Sequence, residues 1–547
     1  MADIKLPVEK DTESHQLEPT TSDPYVKGDV FILEQAQQAA ARQHELTLRE
    51  AFKLYRPAIG WSFLFSMGVI MAGFDPQLVG TLVAIPTFQK TFGKQLPDGS
   101  YVVQAQWQSA FNLGVPVGQV IGSIGVGYPL ERIGRRWTLA ICCCITCIAV
   151  ALQSSSQNKP QILIAELVNG VVLGAYPVIA PTYISEVTPV VFRGMGSAFI
   201  NLSFVIGQLV ASGVLAGTQS RSDRWSYDIP FLCQFIFPVI ILFLLPFCPE
   251  SPWHLVRKNK LAEAEHALKR LMHSSLDPKA ALAHIQLTTA LEMEERESTS
   301  FAECFRGTDL RRTIISIMVY AIQPLVGNFL VIGYAVYFFE LAGLATSDAF
   351  NLGVGLLAVG FVGTCLSWPL IARFGRRDIY NYGLVLLTVL VFLIGILDVA
   401  KSHTSTISWV QSSLMVVYNF FYDLTIGPLC FVILSETSSA KLRGKTIAIS
   451  TGVNALINVA CAVGIPYALN PDQGNMRGKL AFVFFGVTLP CLAWCFLALP
   501  EMKGRTFDEL DLMFQRRVPT KEFKTYQFEG DAQTSAAEIQ QARQGSV

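Results

Sequence analysis

The sequence predicts an all-α membrane protein of twelve transmembrane helices, arranged as two pseudo-repeated halves of six. Three observations lead there. Only 15% of the 547 residues are charged, against 51% hydrophobic, whereas an ordinary soluble domain is about 25% charged. The charges crowd into the two ends, a central block and short loops, leaving apolar runs of about 20 residues, each long enough to cross hydrocarbon as a helix. Motifs of the first half of the chain also return in the second half, in the same order.

Taken in order, residues 1–56 form a polar tail. It opens "MADIKLPVEKDTESHQLEPTTSDP" and has no basic-then-apolar leader, so no cleavable signal peptide is expected. Apolar runs follow at about 58–84, 108–130, 137–156, 161–183, 196–217 and 229–248, making an N-terminal half over 57–248. A polar segment, 249–312, separates these from runs at about 313–340, 348–372, 379–400, 406–434, 446–468 and 479–499, the C-terminal half over 313–500. Inside the separator, "KNKLAEAEHALKRLM" sets Leu261, Ala264, Leu268 and Leu271 at helical spacing with charge on the other face, which predicts a short surface helix. The tail, 501–547, ends in "EGDAQTSAAEIQQARQGSV", which has nothing to bury.

Lysine and arginine fix the expected orientation. "ERIGRR", "VFRG", the 253–312 block, "ARFGRR", "AKLRGK" and "MKGR" all fall on one side if twelve helices alternate. By the positive-inside rule that side is the cytoplasm, with both tails on it. Formal net charge is zero, with no basic arm or aromatic stacking platform, so nucleic acid is not an expected partner. No nucleophile–base arrangement or nucleotide loop appears, so an enzyme is not expected. The twelve cysteines lie mostly inside apolar runs, as in "ICCCITCIAV". Cys144 and Cys147 make a CxxC with no second pair or histidine at zinc spacing, so they read as helix-packing residues rather than a metal site.

The repeat is specific. "ERIGRRWTL" returns as "ARFGRRDIY", and "YISEVTPVVFRG" returns as "ILSETSSAKLRG" with Glu186 and Arg193 matched by Glu436 and Arg443. "CPESP" returns as "LPEMKG". Two six-helix halves in parallel repeat are the plan of the major facilitator superfamily, whose binding site lies between the halves near the bilayer midplane. Within it, "ERIGRR", "PESPWHLVRK", the second "GRR" and "PEMKGRTFDELDLMF" resemble the sugar porter signatures, over about residues 50–515. "APTYISEVTPVVFRG", "YDIPFLCQFIFP", "YFFELAGL" and "YDLTIGPLCFVILSE" resemble the fungal α-glucoside (maltose-type) permeases.

That resemblance implies a cytoplasmic gate of paired charges. Its members are Glu131, Arg135, Arg136, Glu186, Arg193 and Glu250 in the first half, and Arg376, Arg377, Glu436, Arg443 and Glu501 in the second. Pairs that form when the gate closes and part when it opens would make it bistable. Simple positive-inside anchoring is the alternative. Glu131 stands where the family usually has aspartate, and Ala372 where an acid would often sit.

Two acids fall inside apolar runs. Asp75, in "GFDPQLVG", lies roughly 16 Å from the end of the first run, and Glu166, in "LIAELVNG", roughly 9 Å from the end of the fourth. A carboxylate at mid-bilayer costs several kcal/mol unless paired, hydrated or protonated. Facing each other, the two could take up a proton on one side and release it on the other; holding two helices together is the structural alternative. The family motif implies proton coupling for this aspartate. Most sugar porters place an arginine at the Glu166 position, whereas the α-glucoside branch has glutamate. That branch often has a further acid three residues before the aspartate, where this chain has Ala72.

A hydroxyl-rich substrate needs amides over an apolar floor. Asn201, Gln208, Gln323 and Asn454 match sugar-contact positions of the sugar porters. Asn328 is one position from the usual asparagine, and Phe431 stands where many members place a ring-stacking tryptophan. Asn458 reads as an interhelical hydrogen bond. Ala455 stands at the position of a second tryptophan; losing both tryptophans widens the cavity, which fits a disaccharide better than a monosaccharide and equally fits another polyol-like solute. The expectation is a monomeric plasma-membrane sugar:proton symporter with the proton as coupling ion and no cofactor. A uniporter and a non-transporting sugar sensor are the alternatives.

Overall fold

The computed structural model describes residues 48–95, 99, 101–296, 301–341, 343–399, 405–439, 442–470, 473–503, 505 and 507–526, with the side chains of 48, 190–198, 290–296, 341, 405, 443–444 and 507–508 outside that description. The long helices of the first half are α1 (Arg56–Leu82), α2 (Ala105–Gly125, continued by Gly127–Ile133), α3 (Arg135–Ser154), α4 (Lys159–Val187), α5 (Val190–Thr218) and α6 (Trp225–Cys233 with Ile236–Leu244). Those of the second are α7 (Gly307–Leu325, then Phe329–Gly333 and Ala335–Leu341), α8 (Thr346–Arg373), α9 (Arg376–Val399), α10 (Ser405–Leu424 with Ile426–Thr437), α11 (Arg443–Leu469) and α12 (Leu480–Ala498). Eleven of these spans are individually long and apolar enough to cross a membrane, and α2 makes the twelfth as a pair bent by 40°. The bend falls between Gly125 and Gly127, where the helix has least side-chain support. Lysine- and arginine-rich loops share one face, the basic side; the opposite face is the far side.

Without a hydrophobic force between helices in lipid, close packing needs small residues. In α2, Gly114, Gly118 and Gly122 recur every fourth residue and meet Gly170 and Gly174 of α4. A Cβ added at Gly122 would fall 1.8 Å from Val171 O, and one at Gly174 would fall 2.3 Å from Gln119 O. In α1, Gly73 lies against Phe204 O of α5, and Gly207 of α5 against Ile70 O. The backbones of α2–α4 and α1–α5 are therefore in contact, and larger residues would force them apart.

The second half is built around two broken helices. α7 breaks after Pro324 at Val326–Asn328, with Gly327 at φ +96°. Tyr418 donates to the freed Val326 O at 2.9 Å. α10 breaks at Thr425, whose φ of −122° and ψ of −83° are not helical, just before Gly427-Pro428. The loose carbonyls at both breaks find side-chain donors, which is how irregular backbone is tolerated at membrane depth.

The separator carries helices Pro252–Arg257, Leu261–Leu271 and Pro278–Arg296 on the basic side. Ala264, Leu268 and Leu271 are buried, but Leu261 is 37% exposed, because it opens its helix and points past the surface the stripe covers. The predicted C-terminal tail begins as structure. Helix Phe507–Gln515 packs Met513 and Phe514 inward, and Arg311 donates to Val518 O and Thr520 Oγ1, each at 2.8 Å. The last stretch expected to be unstructured, 529–547, and most of the N-terminal tail lie outside the described residues.

The halves are clasped on the far side. Gln108 of α2 donates from Nε2 to Asn470 Oδ1 at 3.1 Å and to Val103 O at 2.8 Å. Asn470, at the end of α11, donates to Val103 O at 3.3 Å and accepts from the Tyr337 hydroxyl. Ser109 donates to Val463 O at 3.2 Å. Gln108 and Asn470 are fully buried, so the clasp is shielded from competing water. Asn470→Ala removes several of these bonds, each worth about 0.5–1.5 kcal/mol, and shifts the population towards a molecule open on the far side. Spin labels on the far-side ends of α2 and α11 should then report longer distances; an unchanged distribution would show that the clasp does not hold the halves closed.

Candidate functional site

Inside the first half, four helices converge on one acid. Asp75 of α1, Gln153 of α3, Glu166 and Asn169 of α4 and Gln234 of α6 are all fully buried. Gln153 donates from the same Nε2 to Asp75 Oδ1 at 3.2 Å and to Glu166 Oε1 at 2.8 Å. Those two carboxyl oxygens are therefore at most about 6.0 Å apart, the sum of the two distances. Asn169 and Gln234 also face Asp75. Asp75 Oδ2 and Glu166 Oε2 have no hydrogen-bond partner among the described residues. Among the described residues the two acids meet carboxyl and amide groups, and neither has an ion pair with lysine, arginine or histidine. Amides both donate and accept, so they can serve a carboxyl in either protonation state. The backbone allows this meeting because Gly114 of α2 passes the Glu166 stem closely, with a Cβ position 3.0 Å from Glu166 Cβ.

The basic-side motifs form the same construction twice. Glu250, after α6, accepts from the backbone N–H of Arg135 at 3.0 Å and of Arg136 at 3.2 Å, capping α3. Glu501, after α12, accepts from Arg376 N at 2.8 Å and Arg377 N at 3.2 Å, capping α9. The glycine in each "GRR" makes room: a Cβ would fall 2.6 Å from Glu250 Oε2 at Gly134 and 2.0 Å from Glu501 Oε2 at Gly375. Arg135 then pairs with Glu186 at 2.6 Å and Arg376 with Glu436 at 3.1 Å. Arg136 and Arg377 donate to Pro246 O and Phe496 O. These pairs join helices within one half, α3 to α4 and α9 to α10. Glu131 is exposed at the end of α2, and the side chains of Arg193 and Arg443 lie outside the described residues.

His254 sits at this crossing, with Nδ1 3.0 Å from Arg135 Nη1. Burial and the Arg135 charge push its pKa down to about 4. The ring is thus neutral near pH 7 and accepts from the guanidinium, which is a donor only. Burial raises Glu250, partly offset by the backbone donors of Ser251, Arg135 and Arg136.

The residues expected to meet a sugar fall into two groups. Gln323 of α7 contacts Cys430 Sγ and donates to Gly427 O at 3.4 Å, tying the two broken helices together. Asn454 of α11 donates to Tyr320 O at 2.8 Å, Asn458 donates to Asn454 Oδ1 at 2.8 Å, and the Tyr320 and Phe431 rings meet edge-on at 5.7 Å. These residues make one patch of amides and rings. Asn201 and Gln208 stand apart on α5, which packs against the second segment of α10. Asn328 lies at the α7 break, and its Oδ1 is buried without a partner among the described residues.

Three members of the acid cluster were not foreseen. Gln153, Asn169 and Gln234 are amides in apolar runs, the same signal that singled out Asn201 and Gln208. The expectation of two intramembrane acids also fell short. Asp423, in "FFYDLTIGPL", is buried in α10, and its place just before a Gly-Pro break was the available cue.

The family described as "Sugar (and other) transporter" matches residues 61–514. The general alpha-glucoside permease of Saccharomyces cerevisiae (strain ATCC 204508 / S288c) is 33% identical over 521 residues, 94% of this chain and 84% of that protein. A maltose permease of the same strain is 31% identical over 518 residues, covering 93% and 84%. Among solved structures, a partially occluded inward-open xylose transporter from E. coli is similar with a TM-score of 0.67 at 20% identity, over 82% of this chain and 99% of that one.

Two outcomes follow from the basic-side geometry. Glu250→Ala leaves the first N–H groups of α3 uncapped and lowers stability by about 1–2 kcal/mol; an unshifted thermal midpoint in detergent would contradict the cap. His254 binds its proton more weakly in the fold than in the unfolded chain, whose pKa is near 6.5. Stability therefore rises with pH between about 4 and 6.5 and levels above. His254→Gln should flatten that part of the midpoint-versus-pH curve.

Proposed function

The chain belongs to the sugar transporter family, and from that premise we propose that it imports an α-glucoside such as maltose together with a proton, by alternating access. The observation that carries the reading is the Asp75–Glu166 pair joined through Gln153 with no basic partner among the described residues. Two carboxylates that close repel each other in a medium of low dielectric, so the pair holds a proton between them. The free oxygens Asp75 Oδ2 and Glu166 Oε2 give that proton a donor and an acceptor site.

The sugar binds between the halves. Gln323, Asn454, Asn328, Asn201 and Gln208 offer amide donors and acceptors, and Phe431 offers an apolar face. Gln323 touches both broken helices, so a sugar hydroxyl competing for its amide would alter the contact between α7 and α10. Loading on the far side, with the clasp open, is followed by closure there and release on the basic side, where the charge pairs hold each half as a rigid body. The basic side is cytoplasmic, the membrane is the plasma membrane, the carrier works as a monomer, and the proton is its coupling ion with no cofactor.

Uptake of labelled maltose and glucose by transporter-deficient cells, at acid and neutral pH and with an uncoupler, tests the reading. Uptake should be faster at acid pH and collapse with the uncoupler. Uptake indifferent to both would leave a uniporter, and absence of uptake of either sugar would count against the α-glucoside assignment. Asp75→Asn should abolish accumulation while sparing sugar exchange; undiminished accumulation would make Asp75 a scaffold residue.

A further inference from the structure

We propose that Asp423 is a second proton-binding carboxyl, lodged in the C-terminal half beside the break in α10; the inference rests on the symport reading. Asp423 lies two residues before the non-helical Thr425 and is 4% exposed. Its carboxyl faces the amide of Asn419, one turn earlier in α10, and the hydroxyl of Thr364 in α8. Gly360 of α8 permits the approach, since a Cβ there would fall 2.3 Å from both Asn419 Nδ2 and Asp423 Oδ2. Asn419 Nδ2 also donates to Leu356 O at 2.9 Å. Asn419 Oδ1 and Thr364 Oγ1 are fully buried and have no hydrogen-bond partner among the described residues. Asp423 has no ion pair with lysine, arginine or histidine among the described residues. The titratable groups around it are Tyr422, next in the chain, and the residues that surround Tyr422, namely Tyr418, Tyr320 and Cys430.

Three features separate this arrangement from a merely structural one. Hydroxyls and amides both donate and accept, so the neighbouring Thr364 and Asn419 can donate to the carboxylate or accept from the protonated acid. An arginine partner would instead lock the charge. Asparagine at this position would also fill the same space and bond the same partners without the ionisation cost of an acid in lipid. Finally, Asn419 stands 250 residues after Asn169, the spacing that relates Glu436 to Glu186, and Asn169 faces Asp75. Each half thus sets the same repeat-related asparagine against a buried acid.

The position also links the proton to the sugar. A Cβ on Gly427 would fall 3.5 Å from Asp423 Oδ1, and Gly427 O accepts from Gln323 Nε2 at 3.4 Å. Protonation of Asp423 changes the charge packed against the break that holds Gln323.

The test uses the full chain in lipid vesicles, in two arms. In the first, infrared difference spectra between acid and neutral pH follow the carbonyl stretch of buried carboxylic acids, without any sugar. Asp423→Asn should remove one band, distinct from the band removed by Asp75→Asn, and Asp423→Glu should restore it at a shifted frequency. A spectrum of Asp423→Asn identical to wild type means that Asp423 does not titrate and overturns the inference. In the second arm, proton and labelled maltose uptake are measured together, and Asp423→Asn should lower the proton-to-sugar ratio by about half. A wild type that takes up maltose without protons overturns the symport reading and this inference with it; a coupled wild type with an unchanged Asp423→Asn ratio overturns this inference alone. If Asp423→Asn does not fold, Thr364→Val keeps the carboxyl and removes one partner. It should displace the pH midpoint of the same band, and an unmoved midpoint would count against the assignment.

Discussion

Inside lipid a polar group has no water to turn to, so each one must find its partner within the protein. That constraint organises this molecule. Asp75 and Glu166 are drawn to the same amide nitrogen of Gln153, which fixes where α1, α3 and α4 meet. Beside the breaks in α7 and α10, Tyr418 donates to Val326 O and Gln323 to Gly427 O. The fold is held by glycine contacts between backbones, and its function depends on the few polar groups that those contacts bring into reach.

The two halves use one plan for different ends. On the basic side the plan is conserved between them: a glycine leaves space, a glutamate caps the next helix, and an arginine reaches the acid at the end of its neighbour. Deeper in the membrane the halves diverge. The first keeps α1 and α4 continuous despite Pro76, Pro177 and Pro181 and gathers a pair of acids. The second breaks its corresponding helices and gathers the amides of Gln323 and Asn454 and the rings of Tyr320 and Phe431. Continuous helices hold the carboxyl pair at a fixed spacing, while broken ones supply backbone that can respond when a ligand binds.

Much of this was legible in the sequence. The apolar runs marked the spans to within a few residues, the "GRR" repeat brought Arg135 and Arg376 into correspondence, and the "SE" repeat did so for Glu186 and Glu436. Asp75 and Glu166 could be placed at roughly 16 and 9 Å from the span ends because depth follows from residue count along a helix. Rotation about the helix axis does not follow from it. For that reason the bridging role of Gln153 and the approach of Gln234 were hidden, since each depends on which face an adjacent helix presents. The far-side clasp was hidden for the same reason, because Gln108 and Asn470 are 362 residues apart. Asp423 was overlooked on different grounds: its run reads as one span, and the Gly427-Pro428 break that marks a discontinuity was not connected to the acid four residues before it.

The central claim is that a neutral sugar moves with a proton held by uncompensated carboxyls. Its most direct measurement is the current evoked by maltose across a supported membrane bearing the purified protein at zero applied voltage. A sugar-evoked current that carries positive charge with the sugar, grows as the loading side is acidified and vanishes in Asp75→Asn is the result the account predicts. Labelled maltose crossing the same membrane with no accompanying current would contradict it.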